Sequence, residues 1–168
     1  MSANPPAIEL HDASTPAELS ACRQLMLAYA DSLDVDLCFQ GFEDELARLP
    51  GDYAPPDGGL YLATVDGAAA GCCAFRPLAD VDYSHACEMK RLYVLPAFRG
   101  FGLGRLLVER CLSTAQAMGY AHMLLDTLDE MEAARALYRD VGFEEIDAYY
   151  YNPLPGTRYL LARLQQTP

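Results

Sequence analysis

The sequence predicts an α/β protein, and two observations carry that prediction. Segments with the helical spacing of apolar residues alternate with short runs typical of strands. The dipeptide Asp66-Gly67 links the strand-like runs LYLATV and AAAGCCAF, which is a strong signal for a two-residue hairpin. With 168 residues, 52% of them apolar, the chain has the size of one domain with its own core. We expect residues 1–168 to form one domain in which residues 1–6 are a flexible tail.

The first elements are indicated by local signals. IELHDAS predicts an edge strand. Thr15, Pro16 and Glu18 then predict a helix start, because they supply an N-cap hydroxyl, a proline at the first helical position and a capping carboxylate. Apolar residues recur at intervals of three and four, so this helix is expected over 16–33. FEDELARL predicts a short helix, and PGDYAPPDGG predicts a loop.

The second half of the chain continues the alternation. Residues 84–95 predict a long strand, and the periodicity that follows predicts a helix over about 102–118. HMLLDTL predicts a strand, and Asp129 with Glu132 resembles a capping box that would begin another helix. FEEIDAYYY and TRYLLARL predict two closing strands. The predicted order is β-α-α-β-β-β-α-β-α-β-β.

Composition limits the kinds of partner. Acidic residues outnumber basic ones by 24 to 12, and the net charge of -12 disfavours nucleic acids and anionic membranes and favours a cationic or amine ligand. A role of the acidity in solubility alone stays open. The six cysteines form no CxxC pair, no signal peptide or membrane span is evident, and the three histidines are too scattered to predict a metal site. We expect a cytoplasmic protein that uses no metal.

The segment RGFGLGR, from Arg99 to Arg105, lies between a predicted strand and a predicted helix. A glycine-rich turn at a helix N-terminus can bind phosphate, because unpaired N–H groups and the helix dipole face the anion. The segment lacks the lysine of a Walker A loop and the spacing of the dinucleotide fingerprint. A tight turn without a ligand is the open alternative.

Together with LYVLPAF before it, ALYRDVGF after it and the DG hairpin upstream, this segment resembles the GNAT family of N-acetyltransferases over about residues 60–164. The resemblance implies the GNAT fold, a mixed and mostly antiparallel sheet flanked by helices, and acetyl-CoA as cosubstrate. It also implies that main-chain groups of Leu92, Tyr93 and Val94 hold pantetheine, with an N–H near Leu92 facing the developing oxyanion. The implied pyrophosphate-binding segment comprises Arg99, Gly100, Phe101, Gly102, Leu103, Gly104 and Arg105.

Two residues are implied to transfer protons. Glu88 and Lys90 interrupt an apolar strand, and the cost of burying unpaired charge predicts that they face a cleft. By resemblance, Glu88 has the spacing of the general base of histone-type members, and its pairing with Lys90 or Arg91 is the alternative. Tyr138 in ALYRDVGF matches the family tyrosine that protonates the CoA thiolate, and a core aromatic is the alternative. Met131 departs from the family pattern, which often has asparagine there.

The acceptor pocket is predicted from FQGFEDEL and from three consecutive tyrosines on a strand, followed by asparagine. The candidate acceptor-binding residues are Tyr150, Asn152 and Glu43, and Asp44 or Glu45 could take the place of Glu43. In the competing interpretation, the tyrosines are aromatic residues of an edge strand and the acidic residues belong to an exposed helix. We expect direct transfer of acetyl to a primary amine of a small molecule or peptide in a ternary complex. A non-catalytic acyl-CoA-binding sensor or interaction domain, and a hydroxyl acyltransferase, remain alternatives. The resemblance also leaves a homodimer open, as is usual for members of this family with exposed C-terminal strands.

Overall fold

A computed structural model of the chain describes residues 4–33 and 41–164. Within these residues the helices and strands follow the predicted order. Residues 4–6 of the predicted tail are exposed and form no helix or strand, and residues 1–3 lie outside the described part. The strands are β1 (Ile8–Asp12), β2 (Gly59–Val65), β3 (Ala68–Leu78), β4 (Ala86–Val94), β5 (His122–Leu128), β6 (Glu144–Ile146) and β7 (Thr157–Arg163), and the helices are α1 (Pro16–Leu33), α2 (Phe42–Ala47), α3 (Leu103–Ala117) and α4 (Glu132–Asp140).

Two predicted local signals are confirmed. The carboxylate of Glu18 accepts a hydrogen bond from the Thr15 amide at 3.1 Å, and the Thr15 hydroxyl accepts one from the Glu18 amide at 3.2 Å. This reciprocal capping box begins α1. Asp66 and Gly67 have φ values of 50° and 82°, which a two-residue hairpin turn requires, and they connect β2 to β3.

The seven strands form one sheet in the order β1-β2-β3-β4-β5-β7-β6. All neighbours are antiparallel except β4 and β5, which are parallel. Because side chains alternate along a strand, Leu60 and Leu62 pack with α1 and α2, whereas Tyr61 and Ala63 pack in the core that includes α3 and α4. The predicted mixed, mostly antiparallel sheet flanked by helices is therefore confirmed.

The prediction of a capping box for α4 is wrong. Met131 occupies the N-cap position, and no side chain caps the helix. Asp129 instead binds the guanidinium of Arg158 on β7. The Asp129 carboxylate thus pairs with a charged group on β7 and does not cap α4.

The predicted strand over 143–151 is shorter than expected, because β6 ends at Ile146. Residues 147–151 form no strand, so the three tyrosines are not on one. The hydroxyls of Tyr149 and Tyr150 donate hydrogen bonds to Glu88 and Asp126, at 2.6 Å each. These two acceptors on β4 and β5 hold the segment over the sheet rather than along its edge.

Across residues 4–33 and 41–164, no helix is long and apolar enough to cross a membrane. The same residues contain no group of three or more histidine, cysteine or acidic side chains placed to hold a metal ion. The described cysteines are buried free thiols, and Cys38 lies outside the described residues.

Candidate active site

The central feature of the site is a gap in the middle of the sheet. Strands β4 and β5 pair only at their beginnings, from Ala86 to Glu88 on β4. Beyond Glu88 the two strands diverge, while β5 remains paired with β7 as far as Leu128. The edge of β4 that faces β5 is therefore unpaired from Met89 to Val94 among the described residues. Its main-chain groups are available to an extended ligand, because backbone donors and acceptors need partners.

A β-bulge lies on β4 beside the gap. Arg91 has a φ of 65°, and the four β4 residues from Lys90 to Tyr93 lie opposite only three residues of β3, from Cys72 to Ala74. The bulge changes the alternation of side chains: Met89 and Leu92 pack on the α3 face, although they are three residues apart. Lys90 and Arg91 therefore lie side by side on the opposite face.

The predicted phosphate loop connects the end of β4 to the start of α3. Gly100 and Gly102 have φ values of 100° and 77°, and Gly102 is the N-cap residue of α3. A Cβ at either glycine would meet nothing within 4 Å. The first turn of α3 contains no acidic side chain, and its first helical hydrogen bond runs from the Leu106 amide to the Gly102 carbonyl. The free amides and the positive end of the helix dipole make this turn suited to an anion.

A cleft of about 640 Å³ connects the loop to the gap. Its lining includes most of the predicted cofactor residues, namely Leu92, Tyr93, Val94, Arg99, Gly100, Gly102, Leu103 and Gly104. The two remaining predicted residues, Phe101 and Arg105, do not line it: Phe101 packs against Phe98, and Arg105 pairs with Asp140 at 3.1 Å. Any contribution of these two would come from their main-chain amides.

Tyr138 lies in a smaller cavity that shares Leu92 and Met131 with this cleft. It is 6% exposed and lines this cavity of about 70 Å³ between the diverging strands, together with Lys90, Leu92 and Asp126. Its ring packs edge-to-face on Phe143. Its hydroxyl has no hydrogen-bond partner among the described residues. Burial raises the pKa of this hydroxyl well above its ordinary value, so the phenol keeps its proton at neutral pH.

Glu88 is buried and already has partners. Its Oε1 atom accepts hydrogen bonds from Arg76 at 3.1 and 3.3 Å, and its Oε2 atom accepts one from Tyr149 at 2.6 Å. The Lys90 ammonium lies 3.9 Å from Oε1, whereas Arg91 pairs elsewhere. Glu88 lines a second cavity of about 420 Å³, beside the tyrosine segment. Glu88 thus faces a cavity, as predicted, and also forms an ion pair with Arg76.

Asp126 is a functional candidate that the sequence reasoning missed. It lies on β5, directly across the gap, and lines the same cavity as Tyr138. Its Oδ2 atom accepts hydrogen bonds from the Tyr150 hydroxyl at 2.6 Å and from the Asn152 amide at 2.8 Å. The candidate acceptor residues Tyr150 and Asn152 therefore do meet at one site, where they hold a carboxylate. The only signal in the sequence was one acidic residue within the apolar strand HMLLDTL.

The acidic residues of α2 differ in position. Glu43 is exposed and lines none of the cavities described above. Glu45 instead forms a two-pronged ion pair with Arg91, with distances of 2.8 and 3.0 Å. Both side chains of this pair are largely buried. Glu45 thus ties α2 to the bulge of β4.

We expect Glu45→Gln to lower the free energy of unfolding by about 3 kcal/mol, because it removes the charge that compensates a buried guanidinium. Urea unfolding followed by circular dichroism measures this loss. Glu144→Gln is the matched control, since Glu144 pairs with Arg163 on the surface and both side chains are exposed. The control should change stability by less than about 1 kcal/mol. Equal losses in the two variants would contradict the structural role of the Glu45 pair.

Met131 lines both the cleft and the smaller cavity. The Thr127 hydroxyl donates a weak hydrogen bond to its sulfur at 3.5 Å. Where the resemblance leads one to expect an asparagine amide, the cleft is thus lined by a thioether. A thioether is only a weak acceptor and donates nothing.

Comparison with known proteins identifies the family. The family model for acetyltransferases of the GNAT family matches residues 24–143. An uncharacterized N-acetyltransferase of Schizosaccharomyces pombe is 38% identical over 157 residues, covering 93% of this chain and 94% of that protein.

Solved structures share the fold. A GNAT-family acetyltransferase from Staphylococcus aureus Mu50 has a TM-score of 0.76 at 18% identity, covering 95% of this chain and all (100%) of that one. A structure from Salmonella typhimurium, described with its cofactor acetyl-CoA, has a TM-score of 0.68 at 19% identity and covers 96% of both chains. The family match spans the gap between β4 and β5, the glycine loop and Tyr138. The chain therefore belongs to the GNAT family of acetyltransferases.

Proposed function

We propose that this chain transfers the acetyl group of acetyl-CoA to a primary amine of a small molecule or peptide. One observation carries the proposal: the unpaired edge of β4 connects the glycine-capped N-terminus of α3 to a buried, protonated Tyr138. The phosphates and the reactive thioester of one extended ligand need these two features at opposite ends of its path, and the cleft of the loop and the cavity of Tyr138 share Leu92 and Met131. The family to which the chain belongs is consistent with that use.

The residues present fit acetyl-CoA. The amides from Gly100 to Arg105 would hold the pyrophosphate, because the glycines leave open space in front of the loop. Main-chain groups of Leu92, Tyr93 and Val94 would bind the pantetheine arm along the unpaired edge. An amide near Leu92 would face the thioester oxygen, where one such donor is worth roughly 2.7 to 4 kcal/mol in the transition state.

The chemistry requires proton removal from nitrogen and proton donation to sulfur. A base removes one proton from the acceptor ammonium, and the nitrogen lone pair attacks the thioester carbonyl carbon. The C–N bond forms, the C–S bond breaks, and the thiolate takes its proton from Tyr138. The nitrogen releases its second proton to solvent as the amide forms, and solvent returns one to Tyr138. Glu88 is the base proposed from the sequence, and Asp126 is a second candidate because it shares the cavity of Tyr138.

A non-catalytic acyl-CoA sensor is the second candidate function, and it is favoured by the thioether at Met131. Turnover separates the two. We would follow the loss of thioester absorbance with amino acids, polyamines, aminoglycosides and lysine peptides as acceptors, and measure acetyl-CoA binding by calorimetry. Turnover with one class of amine supports the transferase. Binding without turnover supports the sensor, and absence of binding refutes both.

The phosphate loop is tested by Gly102→Leu. We expect the Kd for acetyl-CoA to rise at least about tenfold, because a side chain would displace the phosphate from several amides. Gly119→Leu is the matched control: Gly119 ends the same helix, has a φ of 98° and also has open space around a Cβ, so the backbone strain is similar. It does not line the cleft. Calorimetry measures both affinities, and an equal change in the two variants would place the phosphate elsewhere.

A further inference from the structure

Lys90 is a buried cation whose role is not explained by the fold. Its side chain is 5% exposed. The nearest carboxylate oxygen is Oε1 of Glu88 at 3.9 Å, which is too long for a hydrogen bond, and that oxygen already accepts two hydrogen bonds from Arg76. Among residues 4–33 and 41–164 the ammonium has no hydrogen-bond acceptor. A buried ammonium with three donors and no acceptor is costly unless a ligand supplies one.

The side chain of Lys90 also lies where a ligand would be. Lys90 lines both the 70 Å³ cavity that contains Tyr138 and the 420 Å³ cavity beside the tyrosine segment. It is placed there by the bulge at Arg91, which sets the two cations on one face of β4. Burial lowers the pKa of Lys90, although the Glu88 carboxylate 3.9 Å away opposes that shift.

A carboxylate of opposite charge lies across the same cavity. Both hydrogen bonds that Asp126 accepts go to its Oδ2 atom, so Oδ1 has no donor among the described residues. Asp126 can bind an ammonium, and Lys90 can bind an anion, within one small cavity. This pair of charges matches a zwitterion. The adjoining 420 Å³ is sufficient for the rest of a molecule of amino-acid or dipeptide size.

We propose that Lys90 binds a carboxylate of the acceptor, so that the substrate is an amino acid or another small amine bearing a carboxylate near the reactive nitrogen. The inference rests on the proposed acetyl transfer and narrows its acceptor. It disfavours polyamines and aminoglycosides, which would bring further positive charge to a buried ammonium.

The test compares each amino acid with its own carboxamide, in the wild type and in Lys90→Met and Lys90→Arg. The amide removes the negative charge and keeps the amine. We expect the wild type to prefer the acid in kcat/KM. The ratio should fall roughly 10- to 100-fold in Lys90→Met, the range of one charge-assisted hydrogen bond, and recover in part in Lys90→Arg. A merely structural lysine would change activity on both substrates equally.

The outcomes separate this inference from the proposed function. If the wild type has the same kcat/KM for the acid and the amide, or if Lys90→Met keeps the preference for the acid, the role of Lys90 is overturned. The proposed acetyl transfer then still stands. If no acceptor is turned over, calorimetric titration of the amino acids into the CoA-loaded protein decides. Binding that is lost in Lys90→Met supports the carboxylate site without catalysis, and absence of binding overturns it. Thermal unfolding of each variant verifies that it is folded.

Discussion

Tyr138→Phe is expected to lower kcat by roughly 100-fold while the Kd for acetyl-CoA changes by less than about twofold. The substitution removes the only group in the smaller cavity that we assign to protonate the departing thiolate. The aromatic ring remains packed on Phe143, and the lost hydroxyl has no hydrogen-bond partner among the described residues. The fold should therefore be preserved.

Steady-state kinetics and calorimetric titration with acetyl-CoA measure the two quantities separately. Tyr61→Phe is a suitable control, because Tyr61 is also a buried tyrosine of the same core, but it lines none of the cavities of the site. Burial raises its pKa to about 12, so both variants lose a protonated phenol. If the two variants lose activity to the same extent, Tyr138 is a core aromatic and the thiolate takes its proton from another source.

Asp126→Asn is expected to lower kcat/KM by about 100-fold, and Glu88→Gln by about tenfold or less. A general base needs a free lone pair within reach of the reacting nitrogen. Asp126 has one oxygen without a donor in the described structure and shares the cavity of Tyr138. Both oxygens of Glu88 already accept hydrogen bonds from Arg76 or Tyr149, so fewer of its lone pairs are open to a proton than those of Asp126.

Both substitutions keep the size of the side chain, and thermal unfolding of each variant shows whether activity is lost through stability. A larger loss in Glu88→Gln than in Asp126→Asn, at equal stability, would assign the base to Glu88 as the sequence interpretation has it. Measuring the variants with the same acceptor over a range of pH separates loss of a base from loss of binding, because only the first alters the shape of the kcat profile.

Prediction from sequence succeeded where the determinants of structure are local. The reciprocal capping of Thr15 and Glu18 and the turn at Asp66 and Gly67 need only neighbouring residues, and both form as expected. The glycine loop is similar, because a positive φ at Gly100 and Gly102 follows from the residue type and the strand-to-helix context. These signals located the elements and one end of the cleft.

The failures involve contacts between distant segments. Asp129 was expected to cap α4 but pairs with Arg158, and Tyr149 was expected on a strand but bonds to Glu88, 61 residues away along the chain. The importance of Asp126 was not predictable, because nothing in its own strand indicates that Tyr150 and Asn152 converge on it. Polar partners of this kind become visible only when the sheet order is known.

The bulge at Arg91 also carries no sequence signal, since arginine seldom adopts a positive φ. Its consequence concerns chain length rather than residue type. If Arg91, the residue between Lys90 and Leu92, were deleted, regular alternation would return with the residues from Leu92 to Val94 on the faces that they already occupy. The deletion would instead remove the guanidinium that pairs with the largely buried carboxylate of Glu45. A β4 shortened by this one residue should therefore keep its two faces but lose the contact that ties α2 to the strand.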